Sequence, residues 1–203
     1  LAQFGITAEL ISKGLICPAW EIRDLTTGER AVFDLSVIKA DTQHPYRLQC
    51  EQWKLSRSLL ARLSGHRFVD ITLGGTVTDV LEDDTGVAVI VEEKGRASKY
   101  RARTLVGADG LRSTVRHHLN IPFEGETFPE TTLVVTTTFP FEEHIEALSI
   151  VASCWTRDSH VALLRLPSLW RLALYPDERL PIERLNTDEA VQATLQTLVR
   201  SSD

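Results

Sequence analysis

Apolar residues at Leu55, Leu59 and Leu63 recur at every fourth position, Leu60 widens the stripe, and Gly65 follows. That spacing predicts a helix over 50–63 with one apolar face. Downstream the period changes to two. Val87, Val89 and Val91 fall at strict alternation, so 87–92 reads as a strand with one buried face. The stretch 76–82 precedes it through Asp83-Asp84-Thr85-Gly86, and Lys94-Gly95 marks the next turn. A third strand over 100–106 completes an antiparallel unit.

The flanks are read the same way. Residues 1–14 carry helical pieces, with Thr7 as cap and Gly14 as stop. Strands over 19–25 and 30–35 are joined by the turn signal Thr27-Gly28, and a loop with His44-Pro45 follows. Beyond Pro122 four strands are expected, over 131–139, 148–155, 160–166 and 169–175, with Asp158-Ser159 as a turn. No helix of crossover length separates them. A helix over 186–199 closes the chain, with Asn186 and Glu189 spaced as a capping box and Val191, Leu195, Leu198 and Val199 as its apolar stripe. A boundary is expected near 121–129, dividing the chain into 1–121 and 122–203.

Composition narrows the class. At 203 residues, 43% apolar and 25% charged, the chain can bury a real core. A net charge of −6 speaks against a nucleic-acid binder. No apolar run reaches membrane-spanning length, no signal peptide opens the chain, and the cytoplasm is the expected location. Cys17, Cys50 and Cys154 are widely spaced, and no metal-ligand spacing accompanies them. Met is absent and the first residue is Leu1, so an internal piece of a longer protein is expected.

The chemistry concentrates in Leu105-Val106-Gly107-Ala108-Asp109-Gly110-Leu111-Arg112-Ser113-Thr114-Val115-Arg116. An apolar strand end runs into small residues that allow close approach. Gly110 permits a positive φ, and Ser113 can cap a short basic helix. Asp109 is then placed to accept hydrogen bonds from ribose hydroxyls or from backbone N–H groups, leaving N–H donors at the helix start for phosphates. Arg116 can pair with Asp109 and brace the loop. Read blandly, Ala-Asp-Gly is only a turn. This stretch resembles the Asp-Gly motif of the FAD-dependent aromatic hydroxylases with the p-hydroxybenzoate hydroxylase fold. Thr104 stands where that family's motif starts with a charged residue, with Arg103 one step earlier.

Gln52-Trp53-Lys54-Leu55 resembles the helix start at which the same family places a Gln against FAD. The Gln52 amide can donate and accept at once, which suits a flavin edge or a phosphate–ribose junction. Arg47, just upstream, can pair with a phosphate or stack on a ring. The competing reading is a polar helix start and a solvated Arg. Val77 opens the strand that lies beside the adenine in the family, where backbone groups would do the reading. Trp155, Arg165, Trp170 and Arg171 recur as in the family's substrate domain, and His144 and His160 are candidate bases toward a phenol.

The resemblance implies an α/β fold, here an α+β piece: part of an FAD-binding Rossmann-like domain with a mostly antiparallel substrate-domain sheet. Residues 1–121 would be a partial FAD-binding domain, and 122–203 a partial substrate-binding domain with the closing helix. The implied activity is hydroxylation of a small aromatic or phenolic substrate with NADPH or NADH and dioxygen. Cofactor-binding residues would be Asp109, Gly110, Gln52, Arg47 and Val77. No catalytic side chain is assigned, and no metal is expected. The family's Gly-x-Gly-x-x-Gly turn and its later Gly-Asp pair are absent from the 203 residues. The chain alone is therefore expected to bind FAD poorly and to be inactive, and to expose an apolar edge through which it could pair, as in a homodimer. A same-fold reductase or halogenase, or a non-enzymatic α+β binding module, are the alternatives.

Overall fold

Helical pieces open the chain as the pattern requires: a 3-10 turn at Ala2–Phe4 and α1 at Thr7–Lys13. Thr7 is the first helical residue and not its cap. Ile6 takes the cap position because its fully buried side chain decides where the chain enters the helix. The computed structural model describes residues 1–128, 131–157, 160–175, 184 and 186–199. Strand β1 (Leu15–Cys17) leads into the hairpin of β2 (Ala19–Asp24) and β3 (Arg30–Asp34), whose turn needs Gly28 at φ 81°. Strand β4 (Arg47–Gln49) pairs back on β1, and α2 (Gln52–Leu63) follows.

The three-stranded unit is β5 (Thr76–Asp83), β6 (Gly86–Glu93) and β7 (Arg96–Ala102), antiparallel throughout. Its third strand ends four residues before the expected 106. Pairing stops where Ala102 meets Val87, beside the Gly86 turn, and 104–110 has no strand partner among the described residues. The short helix α3 (Thr114–His118) comes next.

Then come β8 (Leu133–Thr137), α4 (Phe141–His144), β9 (Val151–Trp155), β10 (His160–Arg165), β11 (Trp170–Leu174) and α5 (Asp188–Val199). The proposed turn at Asp158-Ser159 lies outside the described residues. The cap of α5 is Thr187, one residue later than the Asn186 box placed it: its Oγ1 accepts from Ala190 N at 3.2 Å, and the helix starts at Asp188.

Contacts group residues 1–61 with 128–203, and residues 62–127 apart. The first group is built on one six-stranded sheet of order β3-β2-β9-β10-β11-β8. The β2–β3 hairpin, far upstream in sequence, joins it through a parallel pairing of β2 with β9. That long-range pairing groups 1–61 with the later strands, so the contact units have two junctions, Ala61–Arg62 and Thr127–Phe128, and a single division at residue 121 does not coincide with them.

Strand alternation places the core. Val161 and Leu163 on β10 lie opposite Cys154 and Ala152 on β9 and opposite Leu174 and Leu172 on β11, all buried. On this face α5 lays Leu195, Leu198 and Val199, and Phe141 of α4 meets Trp170 edge-on at 5.9 Å. Each fully buried large apolar side chain contributes roughly 1.5–3 kcal/mol.

Cys154 lies inside this core, and burial pushes its thiol up to about 12; burial also raises the Cys17 thiol. Only Cys50 is partly accessible among the three free thiols. Ellman titration at pH 8 is therefore expected to detect one thiol of this chain in the native protein and all three in denaturant. Rapid native reaction of two or more would refute this burial pattern.

Candidate functional site

The Asp109 loop is closed by its own polar groups. Ser113, almost fully buried, donates from Oγ to Asp109 Oδ1 at 2.6 Å and accepts from Arg116 N at 3.0 Å. Asp109 Oδ2 accepts from Val115 N at 3.2 Å. The two side chains thus cap α3 together. The Ser113 hydroxyl, followed by backbone N–H groups, holds the Asp109 carboxyl below the usual carboxylate range. Asp109 thus accepts from both a backbone N–H and the Ser113 hydroxyl.

Two expectations for this loop are corrected. The first N–H groups of α3 are occupied by Asp109 and Ser113, so they do not stand open for phosphates. Arg116 does not pair with Asp109. Its guanidinium lies over the Phe123 ring at 4.6 Å, where stacking on an exposed aromatic competes well with a solvated ion pair. Gly107 serves helix packing: a Cβ there would sit 2.9 Å from Val115 Cβ. Gly110 has φ 77°, and the space beside its Cα is open.

In the same unit, Val77 stands at an irregularity. Val77 pairs with Val91 and Asp79 with Ile90, so Thr78 is an extra residue in β5. Beside it is a depression lined by Asp70, Thr72, Gly75, Val77, Val91 and Tyr100.

Arg47 and Gln52 belong to the other unit. Arg47 is exposed on β4, opposite Cys17, and Gln52 is the exposed first residue of α2. The start of α2 is pinned by Glu51 to Lys54 at 2.5 Å and by Lys54 Nζ donating to the Lys13 carbonyl at 2.9 Å. Buried Ser58 donates to Glu9 Oε1 at 2.6 Å and ties α2 to α1. The α2 stripe is only half-buried, and Leu63 is exposed.

The six-stranded sheet sorts the remaining candidates by parity. Trp170 is core, and Arg165 lies over it at 5.6 Å beside Glu142. His144 stacks on Phe139. Trp155, His160 and Arg171 fall on the opposite face, which also presents Ser153 and Tyr175. Trp155 stacks on His160 at 4.0 Å, and His160 on Tyr175 at 4.7 Å, each within 12° of parallel. Ser153 Oγ and His160 Nε2 are 2.7 Å apart. Sequence reading missed Ser153 and Tyr175. Counting by twos back from Trp155 and forward from Arg171 was the signal available.

The match to the FAD binding domain family runs over residues 1–199. This chain belongs to that family. The chain is 31% identical over 144 residues to para-nitrophenol 4-monooxygenase of Pseudomonas sp. (strain WBC-3), covering 71% of this chain and 36% of the relative. It is 28% identical over 200 residues to 6-hydroxy-3-succinoylpyridine 3-monooxygenase HspB of Pseudomonas putida, covering 97% and 51%. The chain thus spans about half the length, or less, of these relatives. Its fold matches the crystal structure of p-nitrophenol 4-monooxygenase PnpA from Pseudomonas putida DLL-E4 with a TM-score of 0.87 at 24% identity, covering 98% of this chain and 50% of that one. Among the described residues no cluster of His, Cys, Asp and Glu is arranged to hold a metal, and no helix is long and apolar enough to cross a membrane.

In the 62–127 unit, Gly110 leaves open space beside its Cα and β5 carries an extra residue next to Val77; in the other unit, Arg47 and Gln52 are exposed.

Proposed function

We propose that this chain is part of an FAD-dependent monooxygenase that hydroxylates a small phenolic or aromatic substrate with NADPH or NADH and dioxygen. The observation that carries the reading is the self-capped Asp109–Ser113 loop in a chain of the FAD binding domain family. Similarity to a para-nitrophenol monooxygenase over 71% of the chain supports a phenolic substrate.

Asp109 and Gly110 would shape the loop against the cofactor's diphosphate–ribose region. Backbone groups beside Val77 would read the adenine, and Arg47 and Gln52 would supply a cation and an amide to the dinucleotide. When bound, FAD supplies the redox chemistry between the reduced nicotinamide and dioxygen. The open face of the six-stranded sheet, with its aromatic rings and Arg171, would hold the planar substrate and exclude water from it. Residues 1–121 and 122–203 would then supply mainly the cofactor part and the substrate part. A reducing cytoplasm suits three free thiols, and the exposed edge strand β3 suits a homodimer.

The test uses the complete protein. Purified protein is expected to carry flavin absorbance and to oxidise NADPH or NADH, with oxygen uptake stimulated by members of a phenol panel and a hydroxylated product formed. Flavin reduction with no phenol-dependent product would sink the hydroxylase reading. The 203-residue chain alone is expected to retain little FAD, because it lacks the Gly-x-Gly-x-x-Gly turn.

A further inference from the structure

Strand β3 is an edge of the six-stranded sheet, and all five of its residues are exposed. Its hairpin with β2 fixes which backbone groups face inward. Asp24 N donates to the Glu29 carbonyl at 2.8 Å, and Leu35 N to the Pro18 carbonyl at 2.9 Å. Bonded pairs recur by twos from there, so 29, 31, 33 and 35 bond to β2. Arg30, Val32 and Asp34 turn their N–H and C=O groups outward. The side chains divide by the same parity. Ala31 and Phe33 share the open face with Trp20, on which Phe33 stacks at 4.3 Å, while Arg30, Val32 and Asp34 lie on the other face. Val32 is 49% exposed, and Val37, in the 3-10 turn Leu35–Ile38 that follows, is 79% exposed. Edge strands commonly carry charges that discourage pairing. Here the two charges have opposite sign and stand symmetrically about Val32.

We propose that β3 docks antiparallel on β3 of a second copy of this chain, with Val32 on the two-fold axis, so that one sheet runs through both copies. The proposal rests on the homodimer reading above and adds to it the surface and the register. In this register the outward groups of Val32 meet those of the partner's Val32, and Arg30 lies opposite the partner's Asp34 at both ends. Phe33 falls beside the partner's Ala31, so a large ring meets a small neighbour on the open face. Other registers are worse. Centring the pair on Arg30 or on Asp34 sets like charges face to face. Centring it on Ala31 or on Phe33 leaves a charge opposite Val32. The arrangement uses the same patch on each copy and closes at two.

Bonds within the chain leave the pairing groups usable. Arg30 Nη1 reaches the Ala147 carbonyl at 2.9 Å and Glu21 at 3.5 Å, and among the described residues its other guanidinium nitrogens have no partner. Asp34 accepts from Ser36 N at 2.8 Å on Oδ1 and from Ser36 Oγ at 2.7 Å on Oδ2, which leaves a lone pair on each oxygen. Five paired residues alone bury too little surface for a stable dimer. Exposed Val32, Phe33, Val37 and Ile38, in and just after β3, add apolar area.

The complete FAD-loaded protein is followed by sedimentation equilibrium over a dilution series, and the parent is expected to be a dimer. Val32→Pro deletes an outward N–H that β2 does not use, and the loss occurs twice per dimer. It should raise the dimer dissociation constant about 10-fold. Asp34→Lys sets a cation beside the partner's Arg30 and should weaken the dimer by a similar factor. Asp34→Asn, which still accepts from Ser36 N, should lose less. Flavin content is expected to stay at the parent level in all three. Cysteine cross-linking reads the register separately, and decides the case if the Pro variant does not fold. Val32→Cys is expected to give a disulfide-linked dimer under mild oxidant, because paired Cα atoms on the axis are about 5.5 Å apart. Val37→Cys, more exposed but far from the axis, is expected not to cross-link, and neither is the parent. A dimer indifferent to the changes at 32 and 34, and not cross-linked through 32, overturns the proposal while the homodimer reading survives. A monomeric parent overturns both and leaves the FAD reading as it stands.

Discussion

Asp109→Ala in the complete protein lowers FAD affinity by about 10- to 100-fold, the expected loss when a charged acceptor of two hydrogen bonds is removed from a binding loop. The carboxylate takes the Ser113 hydroxyl on one oxygen and Val115 N on the other, so its removal unties the loop and the start of α3 together. Flavin retained after gel filtration and a fluorescence titration of the apoprotein give the size of the effect. Asp109→Asn keeps an acceptor and loses the charge, so it should fall between parent and Ala.

The pH dependence has a definite sign. Hydrogen bonds from Ser113 and then the backbone hold the Asp109 carboxyl below its ordinary range. A carboxyl depressed in the folded state stays charged at and above the usual carboxylate pKa, and its contribution is lost as pH falls through the depressed value. Loop closure, read as FAD retention, should therefore persist to about pH 4 and fail only in stronger acid. Parent-like FAD affinity in the Ala variant would show that the loop does not serve the cofactor.

Glu21→Ala is expected to destabilise the protein by about 3–5 kcal/mol, the cost of stranding a buried partner charge. Glu21 is fully buried on β2. Arg23 Nε approaches it at 3.2 Å and Arg30 at 3.5 Å, and Ser149 N donates to its Oε1 at 3.1 Å. The two arginines also reach the carbonyls of Glu146 and Ala147, and Ala147 holds φ 52°. The cluster clamps the 146–149 connection to β2 just where β9 begins. Without Glu21, Arg23 stays largely buried with no counter-charge, and Ser149 N loses its acceptor. Urea unfolding followed by tryptophan fluorescence measures the loss, and Glu21→Gln, which still accepts from Ser149 N, should lose less. A change under about 1 kcal/mol for the Ala variant would mean the cluster is solvated.

Most strands were legible because their side chains alternate, and α2 and α5 because their apolar residues recur at helical spacing. The Asp109 bend was legible too, since Gly110 and Ser113 are the residue types a positive φ and a cap require. Ends were less legible. Thr187 rather than Asn186 caps α5, and β7 stops at Ala102, because a cap or a strand end is decided by the groups that meet it.

By itself the sequence determined the local periods, the turn chemistry and the family signature in 105–116, all carried by residues close together in the chain. Only the tertiary structure decided that β2 lies parallel to β9, that buried Glu21 is clamped by two arginines, and which face of the sheet stays open. Pairing register between distant strands chooses the face a residue occupies, and one step of register would have moved His160 from the open face into the core.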